Sequence, residues 1–227
     1  VTTAGTREPL PGASPALLAE HRTLTLLRLP WLYLVSRRVP AALGLLAGLA
    51  VLLWIALHWH WGIAGGPAAQ QFISLTIETG AAAVIAVTTY GPFGDPEQAS
   101  GRWLPWLRLG AAVALTAVAF GALAAGATGG MLPGGPLPLL RNLAGGTGIG
   151  LLSAAAFGGA FGWTGPLAYL VATEVALDGR PATPWVWAAR PPHDLGGALC
   201  AGLLFAAGAA VIAVFGARDS GRHAASG

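Results

Sequence analysis

Six runs of about 20 apolar residues, long enough for one bilayer crossing each, alternate with short polar connections along this chain. They fall at 41–61, 68–90, 107–127, 137–157, 161–178 and 195–215. Each run predicts a membrane-spanning helix. The first, third and sixth are almost purely apolar. The fourth and fifth divide at Gly158, Gly159 and Ala160. A single helix through both would need about 40 residues for one bilayer, twice the length required. Residues 15–38 follow a different pattern. Leu17, Leu18, Leu24 and Leu27 alternate with Glu20, His21, Arg22 and Arg28, and Pro30 and Pro40 set the segment apart from the first run. This predicts an amphipathic helix lying in the membrane interface, its arginines snorkelling to water. The expected fold is therefore all-α and polytopic. Residues 1–14 are expected to form a disordered tail, and 15–227 one six-span domain with a short C-terminal tail.

Composition sharpens this. Only 9% of the 227 residues are Asp, Glu, Lys or Arg, 55% are hydrophobic and the mean hydropathy is +0.65. Soluble domains carry about 25% charged residues, so a water-facing surface cannot be built from this chain. The 12 basic residues are all Arg. Without lysine there is neither a phosphate-binding P-loop nor Schiff-base chemistry. The net charge of +3 reflects arginines near a membrane surface, with no nucleic-acid footprint. Arg7, Arg22, Arg28, Arg37 and Arg38 precede the first run, Arg102 and Arg108 lie between the second and third, and Arg218 and Arg222 follow the sixth. The connections at 62–67 and 128–136 hold no basic residue. This asymmetry predicts a plasma-membrane protein with both termini cytoplasmic. Arg180 and Arg190 dissent, since they fall on the outer side. Trp59 and Trp61 at one edge, with Trp103 and Trp106 at another, suit an interfacial aromatic belt.

Ionisable groups inside apolar runs are functional candidates. Gln71, Ser74 and Glu78 share one helical face and form a polar stripe pointing into the bundle. Glu78 is expected either to face a proton or substrate pathway, or to bond a neighbouring helix. Arg141 and Glu174 fall on opposite sides of the expected turn near residue 159, at similar distances, which predicts an ion pair across the hairpin. That pair reads as structural or as part of an outer gate. His58 and His60 diverge by about 200° on a helix and cannot share one metal ion. Gly146 and Gly150 predict close helix packing. Asp194, after Pro191 and Pro192, suits a helix N-cap. No catalytic or metal signature appears, so the expectation is a non-enzyme without cofactor.

Two connections carry more. Asp95 and Glu97 around Pro96 resemble the first turn of a short helix, with Arg102, Trp103 and Trp106 at the inner interface. Trp185, Trp187 and Arg190 precede the last run and are expected at the outer interface, as lid or anchor. The stretches GPFGDPEQASGRWLPWLR, LLRNLAGGTGIGLLSA and TPWVWAARPPHDLGG, together with this layout, resemble six-helix actinobacterial permease subunits of exporter-type ABC transporters. The resemblance implies an elbow helix over 15–38 and a coupling helix at Asp95, Glu97, Arg102, Trp103 and Trp106. It implies an outer re-entrant region from Arg180 to Asp194, with Trp185, Trp187 and Arg190 as gate residues. The partners it implies are a separate ATP-binding subunit and a second permease, as homodimer or heterodimer, in the lipid bilayer. A proton-coupled carrier using Glu78, or a non-transporting assembly subunit, remain open beside it.

Overall fold

The computed structural model describes residues 39–58, 66–88, 104–130, 134–179 and 186–215. Every regular element among them is helical. In order they are α1 (Val39–His58), α2 (Gly66–Thr88), α3 (Leu104–Gly126), α4 (Pro136–Phe157), α5 (Thr164–Gly179) and α6 (Leu195–Phe215). Short 3-10 turns occupy Gly159–Phe161 and Trp187–Ala189. Each long helix coincides with one apolar run. Among the described residues four segments are long and apolar enough to cross a membrane: Val39–His58, Gln71–Thr88, Pro105–Gly126 and Leu195–Phe215. The protein is thus a membrane protein, all-helical over the described residues. The other two helices differ from these four. Helix α4 is diluted by Arg141, Asn142 and four glycines, and α5 has 16 residues, fewer than the roughly 20 of a straight crossing. The helix expected over 15–38, the tail at 1–14 and the connections holding Asp95, Glu97, Arg102, Trp103, Arg180 and Trp185 lie outside the described residues, as do Trp59, His60 and Trp61.

The outward faces are as apolar as the interior. Leu45, Leu52, Val113, Leu199, Leu203 and Phe215 are all exposed, as expected where the surrounding medium is hydrocarbon and helix association comes from close packing. Inside, Leu46 and Leu53 of α1, Ile77, Ala81 and Ile85 of α2, and Leu123 of α3 form one core cluster, closed by Leu139 and Leu143 of α4. At the end of α1, His58 is bonded through Nδ1 to the Trp54 carbonyl at 2.9 Å and stacks on the Trp54 ring.

Helix α4 is the central element, in contact with α2, α3, α5 and α6. Its small residues make this possible on two faces. Gly146 and Gly150 meet Ala82 and Ala86 of α2, where added Cβ atoms would come within 3.1 and 2.7 Å of the alanine methyls. On the other face Gly148 touches the α6 backbone at Leu204, and a Cβ on Gly208 would stand 2.5 Å from the Gly148 carbonyl. The α4–α6 crossing is therefore a backbone-to-backbone contact. Helix α4 stops at Gly158, whose φ of 103° leaves the helical region and starts the turn into α5.

Gly208→Val is expected to force α4 and α6 apart and cost about 1–3 kcal/mol, the usual penalty of overpacking. Gly202→Val, on the same helix with nothing within 4 Å, should leave stability unchanged. Thermal unfolding of both variants in detergent checks this. Equal melting temperatures would contradict the backbone contact.

Candidate functional site

A cavity of about 390 Å³ opens where the first half of α2 faces the start of α4 and the segment before α6. Gln71, Ser74 and Glu78 line it from α2, Arg141 and Asn142 from α4, and residues 188–192 from the connecting segment. The polar stripe of α2 and Arg141 thus share one space. Glu78 is only 5% exposed, and Asn142 donates through Nδ2 to its Oε2 at 2.9 Å. Thr76, Thr79 and Thr88 on the same helix return their hydroxyls to carbonyls of their own helix, the ordinary way to satisfy a hydroxyl in an apolar setting. Ser74 does not. Its Oγ is buried without a partner, as is Asn142 Oδ1.

Arg141 is 7% exposed and is met by main-chain oxygens. Nη1 donates to the Pro191 carbonyl at 2.9 Å and Nη2 to the Arg190 carbonyl at 3.2 Å. The expected pair with Glu174 is not formed. Arg141 lies about four and a half turns before the end of α4, whereas Glu174 lies about three turns after the start of α5, so the two stand at different depths. The 3-10 turn between the helices adds to the offset. Glu174 Oε1 is buried without a hydrogen-bond partner.

Trp187 also departs from expectation. It is 1% exposed, so it packs inside the bundle and is not a surface anchor. Its ring stacks on Tyr169 of α5, with centroids 4.2 Å apart and planes at 14°. The Ala188 N–H donates to Tyr169 Oη at 3.3 Å. Room for the indole comes from Gly145, where a Cβ would lie 2.5 Å from Trp187 Cζ2. A tryptophan beside prolines reads as a belt residue in one dimension; only the hole at Gly145 makes it a buried plug. Trp106, by contrast, is 68% exposed at the start of α3.

Asp194 starts α6 as a cap. Oδ2 accepts the Gly197 N–H at 2.6 Å and Oδ1 accepts Nη1 of Arg190 at 3.0 Å. The gate candidate Arg190 therefore holds the cap while its carbonyl holds Arg141. The Gly197 N–H first, and then the Arg190 guanidinium, keep the Asp194 carboxyl below the ordinary 3.8. Sequence reasoning passed over Asn142, although a second polar residue beside Arg141 in an apolar run was a visible signal. It also passed over the two carbonyls that bind Arg141, for which no side-chain pattern exists. Among the described residues no cluster of His, Cys, Asp and Glu is suited to a metal ion. No protein-family model, curated protein or solved structure matches this chain.

Two outcomes follow from these contacts. Arg141→Met keeps an apolar stem but removes two charge-assisted hydrogen bonds, a loss of roughly 3 kcal/mol or more. Hydrogen exchange should then accelerate at 188–194 while α1 and α3 stay protected; unchanged exchange would contradict the tether. Because the folded carboxyl of Asp194 titrates below its ordinary value, its contribution is fully present at neutral pH and is lost as pH falls through that lowered value. Asp194→Asn retains capping ability without the charge. Unfolding measured against pH should show the wild type's advantage over this variant shrinking below 3.8, and a constant difference would contradict it.

Proposed function

We propose that this protein is the membrane-spanning permease subunit of an ATP-driven exporter of the ABC type, working with a separate ATP-binding subunit. On this reading all six helices cross the cell membrane and both termini are cytoplasmic. The segment around Asp95, Glu97, Arg102 and Trp103 docks the ATPase, and two permease copies or a related pair form the pathway. The observation that carries it is the stretch 186–194 that precedes α6. It packs into the bundle, buries Trp187, and lines with residues 188–192 the same polar cavity as Glu78 and Arg141. That supports the re-entrant feature of the resemblance, in a place where movement would open or close a polar path. ATP binding and hydrolysis in the partner would shift the bundle between two packings. Purification from native membranes in mild detergent should bring down a subunit bearing a P-loop, and reconstitution with it should change its hydrolysis rate. An intact, monodisperse preparation without such a subunit would overturn the proposal.

One observation favours a second reading. Glu78 is a buried carboxylate on the cavity wall, and a proton-coupled carrier needs such a group. That reading expects uptake or efflux driven by a pH gradient in liposomes without any partner, abolished in Glu78→Gln. Partner-dependent transport that survives Glu78→Gln would exclude it.

A further inference from the structure

Glu78 and Arg141 line one cavity, yet no ion pair joins them among the described residues. Around Glu78, Ser74 Oγ and Asn142 Oδ1 are buried without partners behind the cavity wall, and the carboxylate itself receives Asn142 Nδ2. At Arg141, Nη1 and Nη2 have each met one carbonyl, and each keeps a second hydrogen. An ammonium group offers only donors and a carboxylate only acceptors, so the two charged ends of the cavity ask for opposite ligand groups. Between the two ends, Leu75, Pro138, Leu139 and Pro192 provide apolar wall.

We propose that this cavity binds a small zwitterion, its ammonium group held by Glu78 and its acid group by Arg141. Charge balance selects this class. A simple cation would leave Arg141 without a counter-charge, and a simple anion would leave Glu78 without one. A zwitterion meets both and adds no net charge to an apolar bundle, where an unmatched charge is costly. The volume of about 390 Å³ falls in the range of small-molecule sites, about 300–1,000 Å³. The inference deepens the transport reading and rests on it only in treating the ligand as cargo.

The test is binding to the purified full chain in nanodiscs, by calorimetry and thermal shift. Glycine, leucine and phenylalanine are the probes, compared with leucinamide, which keeps only the amine, and N-acetyl-leucine, which keeps only the acid. At least one amino acid should bind and raise the melting temperature, and the single-charge analogues of leucine should bind at least about tenfold more weakly, the loss of one charge-assisted contact. Glu78→Gln should lose the binding. Glu78→Asp, which keeps the charge and draws it back by one methylene, should weaken it several-fold and serves if the glutamine variant fails to fold. The proposal is overturned if no amino acid binds, if leucinamide or N-acetyl-leucine binds as well as leucine, or if the folded variants bind as the wild type does. Amino-acid binding by a protein that co-purifies with no P-loop subunit would sink only the permease reading, and a co-purifying ATPase without amino-acid binding would sink only this one.

Discussion

A guanidinium enclosed by apolar helices must be given acceptors, and in this protein Arg141 is given two backbone carbonyls. Helix α4 cannot supply them, because its own carbonyls are engaged along the helix. They come instead from Arg190 and Pro191, so the stretch just before α6 must enter the bundle to deliver them. Its entry explains several features together. Trp187 needs a hole, which Gly145 provides. The chain must then turn into α6, and Asp194 caps that helix while binding the side chain of Arg190. The carbonyl that meets Arg141 and the guanidinium that meets Asp194 belong to the same residue.

The same arrangement creates the cavity. With residues 188–192 drawn toward α4, the polar face of α2 is neither buried against apolar side chains nor turned to lipid. Ser74, Asn142 and Arg141 keep unmet polar atoms there, whereas the threonines of α2 satisfy theirs on their own helix. Unmet polar atoms in an apolar interior are costly, and here they gather just behind the wall of the one cavity that Glu78 and Arg141 share. This is the link from packing to function. Arg141 also borders an open apolar groove of about 760 Å³ between α3, α4 and α6, lined by Val113, Phe120, Leu140 and Phe205 among others. It is thus the partition between a polar cavity and an apolar groove.

Much of the architecture could be read in one dimension because hydrocarbon thickness imposes a length scale on the sequence. Each apolar run reappears as a helix, and Gly158 ends α4 where the fourth and fifth runs divide. Local chemistry was legible for the same reason: Asp194 needs only its own neighbours to cap a helix, and the spacing of Gln71, Ser74 and Glu78 already puts them on one face. What escaped depends on distant partners. The depth of Glu174 relative to Arg141 is set by where α5 begins, and Arg141's acceptors are main-chain oxygens that no residue type marks. Trp187 becomes a plug only opposite Gly145, and Gly148 meets Gly208 only because α4 and α6 cross there. Aromatic and glycine positions carry little meaning until their facing residue is known.

The central claim is that a polar, accessible cavity exists inside this apolar bundle. Thiol accessibility tests it most directly. With the single native Cys200 replaced by alanine, Gln71→Cys and Ala82→Cys place thiols on the same helix, one exposed on the cavity wall and one fully buried against α4. A charged, membrane-impermeant thiosulfonate applied to both faces of the membrane should modify the thiol at position 71 and spare that at 82. If position 71 is as inert as position 82 in folded protein, the cavity is closed or absent and the account fails.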